Sequence, residues 1–565
     1  MLPASKLKII QELIASSTKE ELIWINGYIA GLLSNGTEEP SLPATAKPAV
    51  SKITIAYGTE TGNSKKLATN FAATAKKSGI NAKLVSLDQY RLNDLAKEEY
   101  FFTVISTQGD GEPPDAAKKF YDHIHQNGFK VNHLKYGVLA LGDTSYPLFC
   151  KAGEDIDTQL QKLGGERLVS LYKCDTDYES EAGNWFSQVI SKLSGNGAST
   201  PAPAQAPAVA KKSGKKVYTG SILKNINLND RGSNKQTHHI EIAAEEIEYA
   251  PGDSIGIVPK NPANVVESII ALTGIDSEKQ LTYRNEAVSI LTLLNSKLNI
   301  VYMPERVVKQ YAAIVQQDIP ETKISLLDLL KIYPVKNTSQ FEEVIGILEP
   351  ITPRLYSIAS SKEAHGEEVH LTVARDFFRM NDETKIGLAS DFLSQLPESA
   401  ELDFYVHKND QFRLPAPDKD VIMIGPGTGV APFRSFLAER DSTGAGGRNW
   451  LFFGDQHFVT DFLYQSEMQN WIETGVLTRL SVAFSRDQKE KVYVQHKMIL
   501  QAVEIFDWLD NGAYLYICGA KDPMSEDVEN TLLQIIQQVG NKTPEEANDY
   551  LNALKDEGRY LKDVY

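Results

Sequence analysis

Residues 52–66, KITIAYGTETGNSKK, join a short apolar run to a loop of hydroxyls and glycine, and the loop to a basic helical start. KITIAYG is bounded by a glycine turn and reads as a buried strand. Thr59, Glu60, Thr61, Gly62, Asn63 and Ser64 then lead into a helix predicted to begin near Asn63. Hydroxyls and backbone N–H groups converge there on a helix N-terminus, which favours an anion. No lysine sits inside the loop, unlike a P-loop. A hydroxyl-rich cradle without lysine suits a phosphate monoester that no chemistry touches; taken alone, the stretch is equally an ordinary glycine turn.

The strand-then-helix alternation continues outward. AKLVSL (82–87), YFFTVIST (100–107), YGVLALG (136–142) and ERLVSLY (166–172) read as strands, with helices near 63–78, 114–127, 149–163 and 179–193. Five strands with crossover helices predict a parallel, doubly wound sheet over residues 52–193. Pro-, Ala-, Ser- and Gly-rich linkers flank it at 35–51 and 194–216. Ahead of it, residues 1–34 read as a helical hairpin. Leu7, Ile10 and Ile14 mark one apolar face, and Leu22, Ile25, Ile29 and Leu32 the other. A hairpin that small must dock on the next domain or on another subunit.

Beyond the second linker, residues 217–415 carry short β runs such as THHIEIAAE, RLYSIAS and EVHLTVAR, with a helical insertion at about 260–345. From 416 to 565 the strands VIMIG, NWLFFGD, RLSVAFS and AYLYICG alternate with helices, which predicts a second parallel sheet of nucleotide-binding type. A chain of 565 residues is too long for one core, in keeping with this division. Its net charge of −16 argues against nucleic acid and suits a basic patch on another protein. Cys150, Cys174 and Cys518 are widely spaced and form no CxxC pair, so neither a disulfide framework nor a thiolate metal site is expected. No apolar run reaches the roughly 18 residues that span a bilayer, and MLPASKLKIIQEL has no signal-like apolar region; the expected location is the cytoplasm.

Two more loops follow strands of the first sheet: STQGDGEPPD (106–115) and LGDTSYPLFC (141–150). In an open α/β sheet, ligands bind beyond the carboxyl ends of the strands, where all three loops fall. Together they resemble the FMN-binding loops of the flavodoxin domain in diflavin reductases, and most of all the sulfite reductase branch of that family. The resemblance implies that Thr59 to Ser64 hold the FMN phosphate. It adds Ser106, Thr107, Gln108 and Gly109 from the second loop. From the third it adds Leu141, Gly142, Asp143, Thr144 and Ser145, then Tyr146, Pro147, Leu148, Phe149 and Cys150, with Tyr146 stacking on the ring. Cytochrome P450 reductase relatives usually carry a second stacking tyrosine at the position of Gln108; its absence favours the sulfite reductase branch.

RLYSIAS (354–360) resembles the RxYS motif of ferredoxin–NADP reductases. The resemblance implies an FAD site made by Arg354, Leu355, Tyr356 and Ser357, in which Arg354 meets the pyrophosphate, Tyr356 stacks and Ser357 lies near the flavin N5. Thr372, Val373 and Ala374, together with Phe378, would contact the same cofactor. Gly387, Leu388, Ala389 and Ser390 of IGLAS would add pyrophosphate contacts. For NADPH, GPGTGVAPFRSFL (425–437) supplies Gly427, Thr428 and Gly429, with Pro432 placed to start a helix. FSRDQKEKVYVQ (484–495) adds Ser485, Arg486, Lys491, Val492, Tyr493, Val494 and Gln495, the hydroxyl and cationic company that a 2′-phosphate needs; Asp487 interrupts it. Asp527 matches a further NADP contact.

The chain closes on GRYLKDVY (558–565). From the residues alone this is either a last strand on a sheet edge or a functional terminal ring. The resemblance favours the ring: Tyr565 would cover the FAD and move aside for nicotinamide, while Ser357, Cys518 and Asp563 would orient hydride transfer. The implied fold is therefore α/β and multidomain: a flavodoxin-like sheet, then a ferredoxin–NADP reductase-like module of antiparallel FAD barrel with helical insertion and Rossmann-like NADP domain. The implied activity passes electrons from NADPH through FAD and FMN to the haemoprotein (beta) subunit of sulfite reductase. The alternatives are a diflavin reductase serving another haem protein and a non-catalytic flavin-binding module. No metal is expected. A homo-oligomer through the N-terminal region is.

Overall fold

The computed structural model describes residues 50, 52–59, 62–108, 111–126, 129–143, 148–175, 178–194, 216–284, 286–320, 322–380 and 383–565. The expected N-terminal hairpin, nearly all of both linkers and the loop positions Glu60, Thr61, Gly109 and Thr144–Pro147 lie outside them.

In the first unit, strands β1 (Lys52–Gly58), β2 (Asn81–Ser86), β3 (Tyr100–Ser106), β4 (Lys135–Leu141) and β5 (Glu166–Arg167) run in the order β2-β1-β3-β4-β5, and β6 (Tyr172–Cys174) also pairs with β4. Every pairing is parallel. Apolar clusters fill both faces, one around Phe71, Phe102 and Trp185 and the other around Phe101, Phe120 and Tyr136. One sequence expectation is corrected: ERLVSLY is not a single strand. It splits into β5 and β6, because Trp185 Nε1 takes the carbonyl of Ser170 at 3.0 Å and pulls the middle of the segment off the ladder.

The second unit is an antiparallel sheet of β7 (Val217–Asn227), β8 (Thr237–Ala243), β9 (Ser254–Ile257), β12 (Arg354–Ser357), β13 (Glu368–Ala374) and β16 (Glu401–His407), in the order β12-β9-β16-β7-β8-β13. A bridge between Ile358 and Leu371 brings its two edges together and closes the barrel. The insertion packs helices Ala263–Thr273, Glu305–Val315, Leu326–Ile332 and Thr338–Ile347 around their own apolar core. It is not wholly helical: β10 (Gln280–Tyr283) and β11 (Glu286–Ser289) form a hairpin whose turn sets Arg284 at φ 50°. A second hairpin, β14 (Phe377–Met380) and β15 (Glu383–Ile386), follows the barrel strand β13.

The third unit is a second parallel sheet: β17 (Val421–Ile424), β18 (Asn449–Asp455), β19 (Arg479–Phe484), β20 (Tyr514–Gly519) and β21 (Tyr560–Val564), ordered β19-β18-β17-β20-β21. The chain terminus is thus the edge strand, with Cys518 in register opposite Asp563. The helix Ala431–Ser442 carries Pro432 in its first turn, where the sequence places it. Barrel and sheet are joined by buried polar contacts: Lys235 reaches Asp455 at 2.6 Å, and Asn229 Nδ2 donates to Asp461 at 2.9 Å. No described helix is long and apolar enough to cross a membrane.

Candidate functional site

At the carboxyl end of β1, Gly62 adopts φ 85°, a left-handed turn that suits glycine, and its N–H donates to Thr59 Oγ1 at 2.9 Å. This aims the N-terminus of the 15-residue helix Asn63–Lys77 out of the sheet. Ser64 Oγ and Ser106 Oγ are buried there without a hydrogen-bond partner. Such orphaned hydroxyls are rare, and they fit a site built to meet an anionic oxygen. Thr107 Oγ1 accepts from Ala152 N at 3.2 Å, and Gln108 forms a bridge with Glu112, so the second loop is held in a tight turn. Gly142 N donates to the carbonyl of Cys174 at 3.0 Å. Cys150 lies beneath the third loop rather than on it, its thiol directed at the carbonyls of Ala140 and Cys174 and pushed up to about 12 by burial.

A second cluster forms where barrel and terminal strand meet. Ser357 Oγ donates to Asp563 Oδ2 at 3.1 Å, and Asn409 Nδ2 reaches the other oxygen, Oδ1, at 3.4 Å. Lost hydration pushes the Asp563 carboxyl above its ordinary range, against the pull of Ser357. The neighbouring Cys518 thiol is fully buried and raised well above normal, by burial first and by Asp563 second. Two residues on, Tyr565 is fixed by its backbone: its N–H donates to Gly519 O at 3.1 Å and its carbonyl accepts from Lys521 N at 2.9 Å. The residue is exposed, and its hydroxyl lies 2.8 Å from Thr428 Oγ1. The terminal residues are therefore both an edge strand and a ring held at the GPGTGV turn.

On the barrel, Arg354 lies exposed on β12 with Nη1 on Thr352 Oγ1 at 2.7 Å, Leu355 is exposed and Tyr356 half-buried. Phe378 is exposed on β14. Val373 is buried in the barrel, with Ala374 at its end. Thr372 turns inward, its hydroxyl 2.6 Å from the Tyr464 hydroxyl, so only its backbone is offered to a ligand. Gly387 caps the short helix that carries Leu388 and Ala389; Ser390 Oγ donates back to the Gly387 carbonyl and accepts from Asp376 N.

In the third unit, Gly427 and Gly429 shape the turn between β17 and the helix Ala431–Ser442. Ser485 and Arg486 follow β19, their N–H groups bonded to the carbonyls of Asp455 and Gln456. Asp487 is turned away: it accepts from Phe458 N at 2.7 Å and pairs with His457, contacts that hold its carboxyl low. The loop's cationic side, with Lys491 and Tyr493 exposed, is thereby left for an anion. Val492 and Val494 pack against the sheet's core. Gln495 Nε2 donates to Asp527 Oδ2 at 3.0 Å, a pairing across 32 residues.

Sequence reasoning did not single out Arg434, although it lies within the quoted GPGTGVAPFRSFL. It is buried between barrel and sheet, forking onto both oxygens of Glu467 and donating from Nη1 to Ala359 O at 2.8 Å and His370 Nδ1 at 3.0 Å. The other ring nitrogen of His370 meets Glu368 at 2.9 Å; His239 sits between the Tyr464 hydroxyl and Glu241. His239, Glu241 and His370 have the spacing of metal ligands, but every imidazole nitrogen already has a protein partner and a guanidinium adjoins them, so the residues do not fit a cation. Burial, then Arg434, lowers the proton affinity of His370 to about 2 and also depresses that of His239. Unfolded His370 binds a proton below about pH 6.5 while the folded imidazole stays neutral, so it should subtract up to about 1.4 kcal/mol of stability per pH unit as pH falls below that point, with His239 acting in the same direction. Urea midpoints at about pH 7 and about pH 5.5 check this. His370→Asn should flatten the pH dependence, and an unchanged slope would refute the assignment.

Three family models match the chain in order: flavodoxin over residues 55–185, FAD binding domain over 210–317, and oxidoreductase NAD-binding domain over 423–530. Full-length relatives are similar as well. A sulfite reductase [NADPH] flavoprotein alpha-component of Bacillus subtilis is 39% identical, the match covering 99% of this chain and 98% of that protein. Proteins of the same description from Vibrio cholerae and a Shewanella species are 38% and 37% identical, over 99% and 98% of this chain and 96% and 97% of theirs.

Proposed function

The chain belongs to the family of sulfite reductase [NADPH] flavoprotein alpha-components, and on that premise we propose that it reduces the haemoprotein (beta) subunit of sulfite reductase at the expense of NADPH. It is an NADPH-dependent flavoprotein reductase with FMN, FAD and NADPH as cofactors. Bound flavins would supply the redox chemistry, accepting the two electrons of one hydride from NADPH at FAD and passing single electrons onward from FMN.

The observation that carries the reading is the meeting of Ser357, Cys518, Asp563 and Tyr565 beside the GPGTGV turn. In it Ser357 and Asp563 would orient the groups around a nicotinamide, Cys518 would keep the floor of the site dry, and the Tyr565 ring would be the group that covers a bound FAD and yields to nicotinamide. Arg354 and the Gly387–Ser390 segment hold the FAD pyrophosphate. Ser485, Arg486, Lys491 and Tyr493 bind the 2′-phosphate, helped by the diversion of Asp487 to Phe458. The Thr59–Ser64 loop holds the FMN phosphate at the helix N-terminus, a role supported by the orphaned Ser64 and Ser106 hydroxyls.

Residues 52–193 would form the FMN domain, 217–415 the FAD domain and 416–565 the NADPH domain, with 194–216 as a tether spanning on the order of 25 Å as a coil. The N-terminal region would mediate homo-oligomerisation, and the protein would work in the cytoplasm. Sulfite-dependent oxidation of NADPH by the flavin-loaded protein mixed with its haemoprotein is the expected result. Brisk cytochrome c reduction without sulfite dependence would assign the relay to a different haem acceptor.

A further inference from the structure

Asp563 is bonded from two sides by neutral donors, Ser357 at 3.1 Å and Asn409 at 3.4 Å, and the two donors share one support. That support is Asp253, whose side chain is 2% exposed. Its backbone carbonyl accepts from Ile358 N at 2.9 Å, directly after Ser357, and its Oδ1 accepts from Asn409 N at 2.9 Å. Oδ2 accepts from Ala250 N at 2.9 Å, and Arg413 Nη2 pairs with Oδ1 at 2.5 Å while its Nη1 donates to the carbonyls of Ala250 and Pro251. One buried residue thus fixes two segments relative to each other: the strand carrying Ser357 through its backbone carbonyl, and the loop carrying Asn409 through its carboxylate.

We propose that Asn409 is a positioning residue for hydride transfer, holding the Asp563 carboxylate in the orientation in which it bonds Ser357. This rests on the reading of Asp563 as part of the hydride-transfer centre. Buried carboxylates are oriented by their hydrogen-bond donors, and a donor lost from one oxygen leaves the group free to rotate and easier to protonate. The titratable groups around Asp563 are Cys518 on the adjoining strand, Tyr565 on its own, and the Asp253–Arg413 pair behind Asn409, which continues to Asp410 at 3.4 Å. Asn409 is the amide between that charged pair and the Asp563 carboxylate.

Stopped-flow reduction of FAD by NADPH in the holoenzyme, followed from about pH 5.5 to about pH 8.5, tests the assignment. Asn409→Ala should slow reduction about tenfold, with FAD content unchanged, and move the acid limb of the profile to higher pH. Asn409→Asp, nearly isosteric, sets a like charge against Asp563 and should move that limb further still. This order of limbs, wild type below Asn409→Ala below Asn409→Asp, is something a merely structural defect does not produce. Asp563→Asn run in parallel separates the two levels. If it slows reduction while neither Asn409 variant shifts the limb, the Asn409 assignment is wrong; if it leaves rate and profile unchanged, the hydride-centre reading fails and takes this proposal with it.

Discussion

Replacing Arg434 with methionine should weaken the junction between barrel and second sheet by about 3 kcal/mol, the lower end of the range for breaking a buried ion pair. Methionine keeps much of the side-chain volume, so the loss reports charge and hydrogen bonding more than a cavity. Arg434 is 7% exposed and satisfies the Glu467 carboxylate, the Ala359 carbonyl and His370 Nδ1 together. It also stacks over the Tyr464 ring at 5.0 Å. Removing it orphans the carbonyl and the imidazole; Glu467 keeps access to water at 39% exposure, which is why the loss falls at the low end. The measurement is the urea midpoint for loss of FAD fluorescence quenching, compared with that of wild type. A midpoint within error of wild type would mean that the Arg434 contacts add nothing to the junction beyond its apolar packing and its other polar contacts, Lys235–Asp455 and Asn229–Asp461.

Gly429→Ala should raise the KM for NADPH at least about fivefold while the FMN domain keeps its stability. A Cβ at Gly429 would lie 2.2 Å from the Cys518 carbonyl oxygen, a contact that backbone on both sides cannot relax. The GPGTGV turn must then lift from the end of β20, and with it Thr428, whose hydroxyl is 2.8 Å from the Tyr565 hydroxyl. Overpacking of about 1–3 kcal/mol at this seam corresponds to a loss of roughly five- to more than a hundredfold in binding. Steady-state kinetics with ferricyanide as acceptor checks it, since that acceptor needs no docked partner. Gly427→Ala is the internal control. No atom lies within 4 Å of its built Cβ, although its φ of 57° adds modest strain, so its KM should change less.

The strands, helices and glycine loops of both parallel sheets were legible because their signals are local. KITIAYG, VIMIG and AYLYICG each announce a buried strand within a few residues, and the loops that follow carry hydroxyls and glycines at fixed offsets. Periodicity failed where a tertiary contact overrode it: Trp185, 15 residues away, drew Ser170 out of ERLVSLY. The hairpin at 280–289 was hidden for a related reason, being too short to stand out from the helical insertion around it.

At the terminus, sequence supplied the identities Asp563 and Tyr565 but left edge strand and functional ring as rivals. In the fold the two readings do not exclude each other: a parallel edge strand beside β20 sets Asp563 opposite Cys518 and brings the Tyr565 hydroxyl to Thr428 of the GPGTGV turn. What the sequence by itself determined is the order of units, their strand types and the chemistry of each loop, since these depend on neighbours in the chain. Only the tertiary structure decided that Arg434, His370 and Glu467 lock two units together and that Asn409 and Ser357, 52 residues apart by number, meet on one carboxylate. Such partners lie far apart in sequence, and no local pattern encodes a hydrogen bond closed by the packing of a barrel against a sheet.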